Sequence, residues 1–464
     1  MQPIEPYPIP TAIPVATAHA ATTPAERLSP TAEADRIDVI DALRGVALLG
    51  ILLVNIIYFS EGFSSGAARD VSLSAPLDEF ARFLSRFFAN YKFVTLYSVL
   101  FGMGLALQSR RADERGTRFT SVYVRRLLIL LAMGLIHGVF LWYGDILTMY
   151  ALLGLIAMLF RHAKQMTLLV TATLLAAVPL VLIPPVVALD YQPTPPAGEE
   201  SRSDVMSPVD DDCEFAGESD IDVTTPPLTA KPVDFNRLMS EFDSIEVELY
   251  GRGPYALSVV HRGMLFVVMQ VFAGATTLGW RCLAMFLVGV AIIRSGMFDQ
   301  LKACRRGLIR CVTIAMPIGM AIQAIGVWAA EDPELDGYLR AIIPEVASYT
   351  GAFGLTAGYF AIVCLISLSE RWHRALLPFA AAGRLALTNY IGQSILCGLV
   401  FYSYGLGWIG RTHFATTFLI ACGVFSAQVV FSVVWLRFFR FGPLEWLWRS
   451  LTYGKRQPMT RTPR

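Results

Sequence analysis

Long apolar runs separated by short polar segments dominate the sequence. A helix that crosses the hydrocarbon core of a bilayer, about 30 Å thick, needs roughly 20 such residues. Nine runs approach or exceed this length, at residues 43–59, 93–108, 127–143, 146–160, 165–189, 311–329, 343–369, 385–404 and 414–436. The pattern predicts an all-α fold, a polytopic integral membrane helix bundle.

Basic side chains between the runs predict the topology. Residues 109–126 carry six arginines, and short segments rich in Lys and Arg remain on the cytoplasmic side. Residues 294–310 are also basic, which allows only one crossing within the apolar stretch 255–293. We therefore predict about ten transmembrane helices with both termini cytoplasmic, and an interfacial or re-entrant segment at 255–275.

Composition agrees with a membrane protein. Of the 464 residues, 55% are hydrophobic and 16% charged, whereas soluble domains average about 25% charged residues. This excludes a soluble enzyme and a disordered scaffold. The formal net charge of +1 conceals an asymmetry, because residues 190–256 hold 16 acidic and four basic side chains. We expect the lipid bilayer, and no nucleic acid, as a partner.

The same pattern divides the chain into parts. Residues 190–256 contain eight prolines and predict a mostly disordered acidic insertion on the outer side. Within it, apolar residues at spacings of three and four predict an amphipathic helix over 235–250. The predicted parts are a disordered N-terminal tail (1–35), spans 1–5 (36–189), the acidic insertion (190–256), spans 6–10 (257–458) and a C-terminal tail (459–464).

Polar side chains inside the first run are candidates for function, since they are costly in hydrocarbon. Asp41 and Arg44 are three residues apart and can pair on one helix face. Asn55 follows Arg44 by eleven residues and faces the same way, about 16 Å further along the axis. The alternative is that Arg44 anchors the cytoplasmic end of the helix and Asn55 caps its outer end.

His137 and Asp145 give the sharpest chemical signal. Both fall toward the outer end of the third and fourth runs, with Trp142 between them in the sequence. A neutral imidazole beside a carboxylate is the usual arrangement of a general base. The alternative is a structural histidine, with Asp145 capping the next helix.

Further polar residues lie near other runs. Lys92 opens the second run, and a predicted stripe at spacings of four comprises Arg384, Thr388, Asn389 and Gln393. Such a stripe binds a substrate or holds helices together. No histidine or cysteine pair has the spacing of metal ligands, so we expect no metal and no bound cofactor.

These clusters also carry a resemblance to a known family. The segments are 36–55 (RIDVIDALRGVALLGILLVN), 101–104 (FGMG), 137–147 (HGVFLWYGDIL), 383–394 (GRLALTNYIGQS) and 442–454 (GPLEWLWRSLTYG). They resemble the bacterial YeiB-like family, domain of unknown function 418, over residues 36–458. The family is similar to transmembrane acyltransferases, and the resemblance implies a multi-pass protein of the bacterial inner membrane.

One position departs from the acyltransferase pattern. In acyltransferase family 3 a His follows the Arg of the first span by eleven residues, and here that position is Asn55. Asparagine cannot accept a proton as a base near neutral pH. Residues 60–81 contain no His either, so His137 with Asp145 is the best remaining candidate for proton transfer.

The resemblance leads to an acyltransferase hypothesis. The enzyme would take an acyl group from a cytoplasmic donor, with acyl-CoA as a possible co-substrate, and pass it to a hydroxyl or amine of an unknown acceptor, a glycan or a lipid. Arg44, Lys92 and Arg384 would attract the donor, and Asn55 or Asn389 would bond the oxyanion. The alternatives are a transporter for a small solute or lipid and a scaffold whose acidic insertion recruits a partner.

Overall fold

The fold is a bundle of helices. The computed structural model describes residues 38–63, 76–116, 118–190 and 235–461. The first half comprises α1 (Asp38–Glu61), α2 (Pro76–Leu84), α3 (Lys92–Glu114), α4 (Phe119–Phe140), α5 (Leu147–Leu159) and α6 (Gln165–Asp190). The second half comprises α7 (Phe235–Arg252), α8 (Tyr255–Thr276), α9 (Leu278–Arg294), α10 (Arg305–Arg310), α11 (Met316–Glu331), α12 (Gly337–Ser367), α13 (Leu377–Arg384), α14 (Ala386–Phe401), α15 (Phe414–Phe438) and α16 (Pro443–Tyr453).

Several helices suit a bilayer. Within the described ranges, seven are long and apolar enough to cross it: α1, α4, α6, α8, α12, α15 and the continuous segment Arg305–Glu331. Apolar side chains also cover the outside of the bundle, where Leu159, Val181 and Leu419 are 76%, 73% and 69% exposed. Such surfaces are stable in lipid and not in water. The chain is therefore a membrane protein, while ten spans and cytoplasmic termini remain predictions.

Helix α8 begins and ends toward the same end of the bundle. At its start, the Tyr255 hydroxyl donates to the carbonyl oxygen of Phe140, the last residue of α4 (2.7 Å). After a break at Thr277, Arg281 of α9 donates to Thr95 near the start of α3 (2.9 Å). Only four residues separate α3 from α4, so the start of α3 and the end of α4 lie at one end. This path suits the interfacial or re-entrant segment predicted at 255–275.

Glycines allow the central helices to approach closely. A Cβ at Gly102 of α3 would lie 2.0 Å from the carbonyl oxygen of Phe286, and one at Gly289 of α9 would lie 2.1 Å from that of Val99. Between α1 and α13, a Cβ at Gly45 would lie 2.0 Å from the carbonyl oxygen of Phe379. Backbone contact of this kind is typical of packed membrane helices.

Helix α7 closes one end of the bundle. The amphipathic helix predicted over 235–250 is present as Phe235–Arg252. Buried Glu246 accepts a hydrogen bond from the backbone N–H of Phe63, just after α1 (2.7 Å), and Ser403 donates its N–H to the carbonyl oxygen of Tyr250 (2.6 Å). The rest of the acidic insertion, 191–234, and the predicted tail 1–35 lie outside the described residues.

Candidate functional site

Five arginines surround a cavity of about 220 Å³ beside the start of α1: Arg44, Arg111, Arg126, Arg384 and Arg449. We call it the arginine cavity. Two acids, Asp41 and Glu445, also line it. Arg44 donates to Asp41 (2.7 Å), as the spacing of three predicted. The excess of positive charge favours a ligand with several negative charges.

The C-terminal helix α16 builds one wall of this cavity. The Glu445 carboxylate accepts hydrogen bonds from the N–H groups of Leu387 (2.6 Å) and Thr388 (3.0 Å) and from the Thr388 hydroxyl (2.5 Å). It thereby caps the N-terminus of α14, where a negative charge is favourable. Burial raises the pKa of Glu445, and these hydrogen bonds oppose the rise.

Helix α16 also positions two of the arginines. The indole N–H of Trp448 donates to the carbonyl oxygen of Arg126 (2.9 Å), and the Arg126 guanidinium lies 3.7 Å from the centre of the Trp448 ring. Burial, and secondarily the charge of Arg126, lower the pKa of Arg449 to about 10. The Arg449 guanidinium therefore remains charged at neutral pH. Glu445 and Arg449 belong to the segment 442–454 that carries the family resemblance, which implied no role for either residue.

A second cavity, of about 200 Å³, lies at the other end of the same helices. We call it the tyrosine cavity, after its lining residues Tyr58, Tyr91, Tyr143 and Tyr390. Its polar side chains are Asn55, Asn90, Asp145 and Gln270. The buried Tyr143 hydroxyl has no hydrogen-bond partner within the described residues. A buried polar atom of this kind gains free energy when a ligand bonds it.

The two cavities lie back to back, separated by one layer of residues. On α5 and the turn before it, Ile146 and Met149 line the tyrosine cavity, whereas Leu147 and Tyr150 line the arginine cavity. The Tyr150 hydroxyl is held in this layer by the Ser98 hydroxyl (2.7 Å).

His137 and Asp145 meet next to this layer. His137 Nδ1 lies 2.9 Å from Asp145 Oδ1, and the other carboxylate oxygen accepts the N–H of Thr148 (2.8 Å). Gln270, a residue without a predicted role, donates to the backbone carbonyl of Asp145 (2.5 Å). The carboxylate therefore makes both predicted contacts, since it bonds the imidazole and the start of α5.

The second nitrogen of His137 has a partner that the sequence did not suggest. His137 Nε2 lies 2.8 Å from the Ser394 hydroxyl of α14, 257 residues away. His137 and Ser394 are both buried, and the His137 ring centre lies 5.1 Å from that of Tyr390, which lines the tyrosine cavity. The one feature of the sequence that could have indicated Ser394 is that its hydroxyl lies inside an apolar run, directly after Gln393.

Two other predicted residues lie beside the tyrosine cavity, and one lies elsewhere. Asn55 lines it, and Trp142 stacks on Phe59 at the end of α1, with ring centres 5.1 Å apart. Lys92 is fully buried at the start of α3, where its ammonium group donates to the carbonyl oxygen of Arg86 (3.0 Å). The arginine cavity lies toward the other end of α3, so the structure does not bring Lys92 to Arg44.

The predicted polar stripe splits in two. Because α13 ends at Arg384 and α14 begins at Ala386, Arg384 and Thr388 are not on one helix, and that part of the prediction is wrong. Asn389 donates to Ser432 of α15 (3.0 Å), and Gln393 donates to Gln428 of α15 (3.1 Å). These two side chains hold α14 to α15, which is the packing alternative.

The fold defines a helical membrane protein, and comparison with known proteins indicates an acyltransferase-like family. Residues 36–193 match the family described as "Heparan-alpha-glucosaminide N-acetyltransferase, catalytic". Residues 292–455 match "Protein of unknown function (DUF418)". The first segment contributes Arg44 and His137 and the second Ser394 and Glu445, so the site needs both.

Similar proteins cover nearly the whole chain. The "Uncharacterized protein YxaH" of Bacillus subtilis (strain 168) is 34% identical over 443 residues, 94% of this chain and 98% of its own length. The "Uncharacterized protein YeiB" of Escherichia coli (strain K12) is 30% identical over 435 residues, 90% of this chain and 96% of its own. This chain belongs to the YeiB-like family of DUF418 proteins.

Proposed function

We propose that this protein is an acyltransferase of the bacterial inner (plasma) membrane. It takes an acyl group from a cytoplasmic donor and passes it to a hydroxyl or amine at the outer face. The observation that carries the proposal is the pair of cavities, one basic and one aromatic, separated by a single layer beside His137 and Asp145. A donor and an acceptor can then approach the same point from opposite ends.

The arginine cavity suits the donor. Acyl-CoA carries phosphate groups, and guanidinium groups bind phosphate through charge-assisted, often bidentate hydrogen bonds. Arg44 and Arg449 are in place for this, and the side chain of Arg44 is 31% exposed. The thioester end would point toward the dividing layer, at Tyr97 and Tyr150.

The tyrosine cavity suits the acceptor. His137 takes the proton of the acceptor hydroxyl or amine, and Asp145 fixes the tautomer and stabilises the imidazolium. Asn55 lines the cavity and is the better candidate for bonding the developing oxyanion, because the Asn389 amide is already bonded within the α14–α15 contact. Stacking on tyrosine rings would orient the acceptor.

The test uses the purified full chain in lipid nanodiscs. CoA binding is measured by calorimetry, and acyl transfer is followed by thiol release from a panel of acyl-CoA donors with candidate hydroxyl and amine acceptors. We expect micromolar to millimolar binding of CoA, and donor-dependent transfer that His137→Ala abolishes.

Two outcomes contradict the proposal. One is a wild-type protein that binds no CoA at millimolar concentration. The other is His137→Ala protein with unchanged transfer rates. The transporter alternative gives a different result, namely accumulation of an intact solute in proteoliposomes without consumption of acyl-CoA.

A further inference from the structure

Ser394, His137 and Asp145 form one continuous chain of hydrogen bonds. The two links measure 2.8 Å, from Ser394 Oγ to His137 Nε2, and 2.9 Å, from His137 Nδ1 to Asp145 Oδ1. The three residues come from α14, α4 and the turn before α5, and the tertiary fold brings Ser394 to the other two. The same order of groups, hydroxyl to imidazole to carboxylate, activates serine nucleophiles on several unrelated folds.

The carboxylate decides the direction of both hydrogen bonds. An ionised Asp145 can only accept, so Nδ1 of a neutral His137 carries the proton and donates to it. Nε2 then has a lone pair and accepts the Ser394 O–H. This tautomer draws the hydroxyl proton toward the ring and makes Ser394 Oγ more nucleophilic.

Ser394 lies on α14 one turn beyond the tyrosine cavity and about 10 Å along the helix axis from Leu387 at the arginine cavity. Ala386 and Leu387, in the first turn, line the arginine cavity, and Tyr390 lines the tyrosine cavity. Ser394 follows Tyr390 by one turn and is 3% exposed. The Tyr390 side chain is held by one long hydrogen bond, from the N–H of Ile146 (3.3 Å). Because Ser394 is buried, neighbouring side chains such as Tyr390 must move for it to meet a substrate.

We propose that Ser394 is a nucleophile that carries the acyl group covalently from donor to acceptor, an inference that rests on the proposed acyltransferase function. In the first step, Ser394 Oγ attacks the thioester carbonyl and forms an ester, and the C–S bond breaks. The Ser394 proton moves to His137 Nε2 and then to the departing thiolate.

The second step restores the enzyme. The acceptor hydroxyl or amine attacks the acyl-Ser394 ester and gives its proton to His137 Nε2. The bond from the acyl carbon to Ser394 Oγ breaks, and His137 returns the proton to Ser394. Without an acceptor, the ester remains until water hydrolyses it slowly.

The experiment traps the ester in wild-type protein. Nanodisc samples receive a radiolabelled acyl-CoA without acceptor, are quenched in acid, and are analysed by gel and peptide mass spectrometry. We expect a burst of about one thiol per protein and the acyl mass on the peptide that contains Ser394. Separately, a fluorophosphonate probe, which reacts with activated serines, should label Ser394 in the absence of any donor.

Variants separate chemistry from packing. Ser394→Ala should lose the burst, the probe label and at least 100-fold of the transfer rate, and Ser394→Cys should form a thioester that neutral hydroxylamine cleaves. Ser432→Ala is the matched control, because Ser432 is a buried serine that bonds Asn389 between α14 and α15. It should keep the burst and the label.

The experiments distinguish a failure of the Ser394 proposal from a failure of the acyltransferase proposal. Transfer by wild-type protein without a burst, or Ser394→Ala protein with more than a tenth of the wild-type rate, overturns the role of Ser394 and leaves the acyltransferase intact. If wild-type protein neither binds CoA nor transfers acyl groups, the proposed acyltransferase function is wrong. In that case the fluorophosphonate probe still tests whether Ser394 is an activated nucleophile. Labelling of Ser394 supports this role, and the absence of labelling contradicts it.

Discussion

Gly383 lies directly against the backbone of Asp41. A Cβ at position 383 would lie 1.8 Å from the carbonyl oxygen of Asp41 and 2.8 Å from the backbone nitrogen of Gly45. This contact seats the end of α13 on the first turns of α1. It brings Arg384 to the same cavity as Arg44, although 340 residues separate them in the sequence.

Gly383→Ala should therefore weaken both the fold and donor binding. No flexible side chain can yield here, because the clashing atoms belong to the α1 backbone. Overpacking of this kind costs about 1–3 kcal/mol. The control is Gly423→Ala on exposed α15 surface, where an added Cβ has no neighbour within 4 Å. Thermal unfolding in nanodiscs should show a lower Tm for Gly383→Ala and an equal or slightly higher Tm for Gly423→Ala.

Asp145→Asn should remove acyl transfer while largely preserving the fold. An asparagine at this position keeps an oxygen for the Thr148 N–H but no longer fixes the His137 tautomer or stabilises the imidazolium. We expect the rate to fall by roughly 10²- to 10⁴-fold, with a Tm within a few degrees of wild type.

A second Asp–His pair provides the control for that variant. Asp78 lies 3.2 Å from the exposed His413 and accepts the N–H of Ala415, away from both cavities. Asp78→Asn should leave the transfer rate unchanged. Equal rates for wild type and Asp145→Asn would contradict a role of this carboxylate in the reaction.

Arg449→Gln should weaken CoA binding about tenfold, the loss expected for one charge-assisted contact to phosphate. Arg449 keeps its charge at neutral pH, since its lowered pKa is still about 10. The loss should shrink at high salt, because salt screens the attraction. Arg371, exposed beside Trp372, gives the control Arg371→Gln. Calorimetry at two salt concentrations is the measurement, and a salt-independent loss would point to altered packing instead.

Glu445→Ala should destabilise the contact between α14 and α16 more than Glu445→Gln does. Alanine leaves the N–H groups of Leu387 and Thr388 without a partner, at a cost of about 1–3 kcal/mol. Glutamine keeps one carbonyl oxygen that can accept both. The order of Tm values, wild type above Gln above Ala, checks this, and equal values for all three would show that the cap contributes nothing.

Features that depend on neighbouring residues in the chain were predictable from the sequence. A helix in lipid must satisfy its own backbone hydrogen bonds, so a long apolar run is sufficient to predict it. The Asp41–Arg44 pair follows from a spacing of three on one helix, and the amphipathic helix over 235–250 follows from its periodicity. The meeting of His137 and Asp145 also needed only a short turn between adjacent helices.

The sequence by itself determined an α-helical membrane protein of a known family, and it singled out His137, Asp145 and Arg44. Only the tertiary structure decided that Ser394 completes the hydrogen-bonded chain, that Glu445 caps α14, and that Lys92 lies away from Arg44. The residues in these pairings are 57 to 257 positions apart in the sequence, except for Lys92, which bonds locally. A polar group inside a bundle takes whichever partner helix packing brings within 3 Å, and sequence spacing carries no information about that choice once it exceeds one helix and its turn.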